Sequence, residues 1–212
     1  MTRRLPRRSL LLAAAAWPLL AAHPRPGHAA APPPDAATAL IGTYQAALLD
    51  VMRRAENLGP GGRAEALDGP VRATFAFDRM ARAAAGKAWR AADAATRAAM
   101  VESFASYSVA VHADRFDGFS GESFAIDGTA PGPAGTTLVN TRIVRPADDD
   151  VPITYVVADT ADGARVVDVL LEGSISEVAL RRSEWASIGA RDGLPGLIAA
   201  LDRQAETLLA KG

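Results

Sequence analysis

The feature that most constrains this chain is a change of hydrophobic period at Glu122. Upstream, apolar residues recur at three- and four-residue steps, the repeat of helices with one buried face. Downstream, residues 123–127, 136–145, 153–159 and 165–172 alternate, or run apolar, over lengths suited to strands. The links at 128–135, 146–152 and 160–163 are rich in turn-forming residues. Links this short predict an antiparallel meander, because parallel neighbours need crossovers of about a dozen residues. Beyond Gly173 the helical repeat returns in two stretches that close the chain. Helices grouped before and after a sheet define an α+β fold, with helices packed on a curved antiparallel sheet of about four strands.

Within the first half, Asp35 reads as an N-cap, and Leu40, Ile41, Tyr44, Leu48, Val51, Met52 and Ala55 form one apolar face. Gly59-Pro60-Gly61-Gly62 breaks that helix, and Gly69-Pro70 separates two short helical pieces at 63–67 and 71–75. Asp78 reads as the cap of a helix that stops at Gly86. Asp93 caps the longest helix, which carries Met100, Phe104, Tyr107 and Val111 on one face.

Tight hairpins place Val139, Thr141, Ile143, Val156, Ala158, Val167, Val169 and Leu171 on one sheet face, and Arg142, Tyr155 and Asp168 on the other. The first face is apolar but has little bulk. A helix bringing Phe104, Tyr107 and Val111 over it either fills the space or leaves an apolar cavity. The candidate lining is therefore Phe104, Tyr107, Val111, Val139, Ile143, Val156, Val167, Val169 and Leu171. Asp168 reads most simply as the ion-pair partner of Arg142. In a rival enzymatic reading Asp168 is a base and Tyr155 a hydrogen-bond donor, an isomerase-like arrangement on the same scaffold. A ligand-free interaction subunit is a third reading.

Composition removes other classes. The chain has no cysteine, so neither a disulfide nor a cysteine-linked lipid anchor is available. His112 is the sole histidine past residue 28 and reads as a helix-surface residue, so zinc sites and histidine triads are not expected, nor any cofactor. Asp148-Asp149-Asp150 lacks the spacing of a calcium loop and reads as a solvated turn. Arg181-Arg182 reads as solvated helix charge. Residues 1–31 hold five arginines, four of them ahead of an apolar run at 10–22 with Pro18 inside it, and a small-residue exit before Pro32. That is the pattern of a cleaved signal peptide; the run is shorter than the roughly 20 residues a spanning helix needs. Arg7-Arg8-Ser9-Leu10-Leu11 also resembles a twin-arginine signal, so export by the Sec or the twin-arginine route fits. The division expected is a signal peptide at 1–31 and a single domain at 32–212. Five of the 23 basic residues and none of the 24 acidic ones lie in the leader, so the remainder carries a charge of about −6 and lacks the basic footprint of nucleic-acid binding.

Phe77-Asp78-Arg79-Met80-Ala81-Arg82 followed by Gly86-Lys87-Ala88-Trp89-Arg90 resembles the MlaC-type auxiliary proteins of lipid-transporting ABC systems. Phe119-Ser120-Gly121-Glu122, Val167-Asp168-Val169 and Glu172-Gly173 resemble later family segments. Gly173-Ser174-Ile175-Ser176 with Arg182-Ser183-Glu184-Trp185 is most similar to the hopanoid-associated HpnM branch. The resemblance runs from about residue 40 to 201 in collinear order, with Val167, Ala85 and Leu180 departing from the usual residues. It implies an MlaC/NTF2-like fold and a periplasmic carrier, not an enzyme. The cargo implied is a phospholipid or hopanoid, and the partners are an inner-membrane ABC transporter complex and an outer-membrane lipoprotein component, with transient membrane contact. A carrier answers a physical need: an acyl chain in water costs about 0.8 kcal/mol per CH₂, roughly 11 kcal/mol for 14 carbons.

The exported protein is expected to begin between Ala30 and Pro32. Intact mass of the secreted form checks this, and retention of residues 10–22 in a membrane fraction contradicts it.

Overall fold

The computed structural model describes residues 31–211. Residues 1–30, nearly all of the expected signal peptide, lie outside the described residues. Four helices precede the sheet: α1 (Pro34–Arg53), α2 (Ala55–Thr74), α3 (Phe77–Ala91) and α4 (Ala94–Arg115). Five strands follow, β1 (Ser123–Pro131), β2 (Thr137–Val144), β3 (Val151–Thr160), β4 (Gly163–Leu171) and β5 (Ile175–Ser176), and α5 (Glu177–Leu209) closes the chain. All neighbouring strands are antiparallel in the order β1-β2-β3-β4-β5, the meander the short links predict.

The helices form where their apolar stripes find cover. In α1, Ala37, Ile41, Tyr44, Leu48, Val51 and Met52 are buried, and the helix crosses the sheet against β1, β2 and β4. Asp35 lies in its first turn, while Pro33 occupies the cap position, where a missing N–H costs nothing. Asp93 caps α4 through its Oδ1, which accepts from Thr96 N at 2.7 Å.

The glycine-proline pairs behave differently from a reading by local propensity. Gly59, at φ 61°, only kinks α2, and Pro60 starts the next turn. The helix then runs through Pro70 to Thr74, because Ala64, Leu67, Val71 and Thr74 share one buried face against α4, and that packing outweighs one lost hydrogen bond. Gly86 (φ 55°) and Gly193 (φ 64°) likewise bend α3 and α5 without ending them. With its kink, α5 is the longest helix at 33 residues, longer than α4 at 22.

Sheet register sets which side chains meet the helices. Val139 pairs with Tyr155 and Thr141 with Ile153, so Tyr155 and Ile153 point to the helix side; Val156, opposite Leu138, points away. Between β3 and β4 the ladder shifts: Val157 pairs with Val166 but Val156 with Asp168, which leaves Val167 as the extra residue of a bulge. Val166, Val169 and Leu171 therefore face the helices, and Val167 does not. The Phe75–Ala76 junction is pinned here, Ala76 N donating to Val166 O at 2.9 Å. Gly173 does more than end the ladder. Glu172 (φ 50°) and Gly173 (φ 75°) make a left-handed turn that folds β5 back onto Leu170 and Leu171.

Asp168 does not pair with Arg142, which holds Asp127 and, at 3.0 Å, Asp150. Instead Asp168 secures the start of α5. Its Oδ1 accepts from Val178 N at 3.1 Å and Val169 N at 2.8 Å, and its Oδ2 accepts from Ser176 Oγ at 2.5 Å; Ser176 Oγ in turn accepts from Ala179 N. Asp168→Ala is expected to cost about 2 kcal/mol of stability in urea denaturation, with Asp168→Asn costing less, since removing the carboxylate leaves a cap and two N–H groups without acceptors.

Candidate functional site

A cavity of about 130 Å³ lies between the helix side of β3–β4 and helices α1, α3, α4 and α5. A single water needs roughly a tenth of that volume, so this space is large enough for part of an organic molecule. The sheet contributes Ile153, Tyr155, Val169 and Leu171, and α4 contributes Phe104, Tyr107, Ser108, Val111, His112, Arg115 and, just past its end, Phe116. Tyr44 comes from α1, Phe75 from the end of α2, Phe77 and Met80 from α3, and Glu177, Val178 and Arg181 from the first turns of α5.

Aromatic rings hold this wall. Successive centroids in the series Tyr155, Tyr44, Phe75, Phe77, Phe104 and Trp185 lie 6.0, 5.4, 5.8, 5.6 and 5.2 Å apart, and all but Phe75–Phe77 meet edge to face. Each ring packs on the next, and Tyr155, Tyr44, Phe75, Phe77 and Phe104 all line the cavity.

His112 is part of the wall rather than the outer surface. Its ring lies 5.8 Å from Phe75 and 6.0 Å from Tyr44, and its Nδ1 is 2.6 Å from Ser108 O. The half-buried imidazole borders the cavity, and desolvation lowers its pKa to about 4, with Arg115 opposing protonation and the Ser108 carbonyl favouring it. Burial also pushes the Tyr44 and Tyr155 phenols well above their ordinary range.

Charge collects at one part of the rim. Arg181 pairs with Glu177 at 3.3 Å and Glu184 at 2.7 Å, and its guanidinium lies 5.7 Å from the Tyr107 ring centre. Arg115, with its side chain half exposed, approaches Glu177 only to 3.9 Å. Arg181 is thus a braced rim residue and not a freely solvated charge, while Arg182 is exposed.

Of the nine lining residues expected from sequence, Phe104, Tyr107, Val111, Val169 and Leu171 line this cavity. Val139 is fully buried in the core beside it, and Ile143 packs at the core margin near β1. Val156 points to the other sheet face, and Val167 borders a separate shallow depression with Arg79 and Ala83. Tyr44, Phe75, Phe77, Met80, His112 and Tyr155 were outside the expected lining. Tyr44 sits within the apolar stripe of α1, which was a visible signal; His112 has none, because one lone histidine beside Val111 fits either face. Tyr155 and Asp168, grouped by the enzymatic reading, point to opposite sides of the sheet. Among the described residues no group of three or more histidine, cysteine or acidic side chains is placed to hold a metal.

The family model described as MlaC protein matches residues 43–203. The chain belongs to the MlaC family. A solved phospholipid-binding protein from Ralstonia solanacearum, in complex with a phospholipid, has the same MlaC fold: TM-score 0.69 at 18% identity, over 81% of this chain and 98% of that one. No curated protein matches the sequence. The matched residues span every element from α1 to α5 and include all the cavity-lining side chains.

The neutral state of His112 makes a pH prediction. Its folded pKa lies below the ordinary 6.5, so the unfolded chain binds the proton first as pH falls; stability is intact above about pH 6.5 and is lost between pH 6.5 and 4. The full loss is on the order of 3 kcal/mol. Chemical denaturation at a series of pH values should show that slope in the wild type and a flatter one in His112→Phe over the same window.

Proposed function

We propose that this MlaC-family protein is a lipid carrier of the periplasm, made as a precursor whose residues 1–31 are removed and whose remaining chain acts as one lipid-binding domain. The observation that carries this reading is the cavity itself: aromatic and aliphatic side chains from four helices and two strands enclose a space with no catalytic constellation in it. The phospholipid bound by the Ralstonia relative of the same fold supports a lipid as cargo. Burying each CH₂ of a chain against such a wall regains about 0.8 kcal/mol, so affinity needs no covalent chemistry.

In this reading the cargo enters between the helices and β3–β4, its apolar part against Phe104, Val111, Val169 and Leu171 and its polar part toward Arg115, Glu177 and Arg181. The carrier collects lipid from one membrane system and delivers it to another. An inner-membrane ABC transporter complex and an outer-membrane lipoprotein component are the partners that fit, reached through transient contact at a membrane.

Lipid extraction and native mass spectrometry of the purified protein test the proposal, with stoichiometric lipid expected. Val169→Trp directs an indole into the cavity and should remove most of the co-purifying lipid while the melting temperature of the delipidated protein changes by only a few degrees. A wild type that never carries lipid, together with a large drop in melting temperature for the variant, would mean that the space is ordinary core.

A further inference from the structure

A cavity meant only for acyl chains needs no polar atoms in its wall, yet this one has a group of them. Tyr44 and Tyr155 meet edge to face at 6.0 Å, and His112 adjoins Tyr44 at the same separation. All three line the cavity. Behind them Gln45, 5% exposed, lies beside the Tyr155 phenol, and its amide nitrogen has no hydrogen-bond partner among the described residues. Four polar side chains thus converge on one stretch of an otherwise apolar wall.

The chemistry of His112 fixes what that stretch lacks. A carbonyl oxygen can only accept, so the 2.6 Å contact with Ser108 O requires the proton on Nδ1. The ring is neutral in its desolvated site, which leaves Nε2 as a bare acceptor, and no described residue donates to it. The nearby phenols are kept protonated by burial and so are available as donors. An acceptor and donors carried by rings whose centres lie about 6 Å apart on an apolar wall are complementary to a hydroxyl, which gives one hydrogen bond and takes another. An unmodified alkyl chain would leave each of these groups unsatisfied, at a cost in affinity.

We propose that this stretch of wall holds a hydroxyl of the cargo, His112 Nε2 accepting its proton and the Tyr44 or Tyr155 phenol donating to its oxygen, so that the lipid carried bears a free hydroxyl on its enclosed part. The inference rests on the carrier reading and narrows it from lipids in general to hydroxylated ones.

The test compares 1-decanol with decyl methyl ether on the delipidated wild type by titration calorimetry, with phosphatidylethanolamine as a reference lipid. The ether keeps the oxygen and loses the donor. It is also the more apolar probe, so burial alone would favour it. The alcohol is expected to bind about tenfold tighter, the size of effect that one unsatisfied buried acceptor produces. That preference should fall to near parity in His112→Phe, and Tyr155→Phe should reduce it by a smaller factor; the second variant supplies the reading if the first does not fold. Equal binding of alcohol and ether by a wild type that does bind phosphatidylethanolamine overturns this inference alone and means that water satisfies the polar stretch. Failure to bind any of the three overturns the carrier reading and this inference with it.

Discussion

The arrangement of this molecule depends on one irregularity in hydrogen bonding, the bulge at Val167. Strand side chains alternate strictly, so a regular β4 would put Val167, Val169 and Leu171 on one side and turn Val166 to the other. Inserting one residue opposite the Val156–Val157 step gives both halves of the strand an inward role. Val166 enters the core next to Val157, both fully buried, while Val169 and Leu171 reach the cavity beside Tyr155 and Ile153. The same place holds the Phe75–Ala76 junction through the Val166 carbonyl. The position of Phe75, and the ring series that runs from it in both directions, therefore follows from the bulge.

Around that sheet the helices bend rather than break. Left-handed glycines at 59, 86 and 193 change the direction of three helices. At the α3–α5 crossing, a Cβ placed on Gly189 would lie 3.4 Å from the Ala88 Cβ, so small residues on both helices let the two backbones approach closely. The bulky residues are then concentrated on the cavity side, where the aromatic rings act as struts. Alanine brings the helices together away from the site, and Phe, Tyr and Trp hold them apart at it.

Much of this was legible in the sequence because it is carried by period and by local capping. The switch at Glu122, the four longer strands, the antiparallel order, the α1 stripe and the Asp93 cap all follow from neighbours within a few residues. What was not legible depends on long-range register. The link at 146–152 shifts β3 by one residue from the register of a tight hairpin, which moves Tyr155 and Ile153 inward and Val156 outward. Nothing local marks Val167 as the inserted residue. The run of α2 through Pro70 depends on α4 covering Leu67 and Val71, and a pair of helix-breaking residues cannot reveal that cover. His112 was misplaced for a similar reason: its side of α4 is decided by Tyr44 and Phe75, which arrive from two other helices.

The ring series also gives the protein an internal optical probe. Of its three tryptophans, Trp17 lies outside the described residues, and Trp89 sits at the end of α3 with the Arg97 guanidinium 5.8 Å from its ring centre. Trp185 is buried, 5.2 Å from Phe104, and Phe104 is itself part of the cavity wall. An indole held edge-on, one ring away from the cavity, experiences changes in polarity and packing at the wall without lining it. With Trp17 and Trp89 replaced by phenylalanine, the emission of the protein comes from that one position, and any filling or emptying of the cavity can be followed in solution with no label attached.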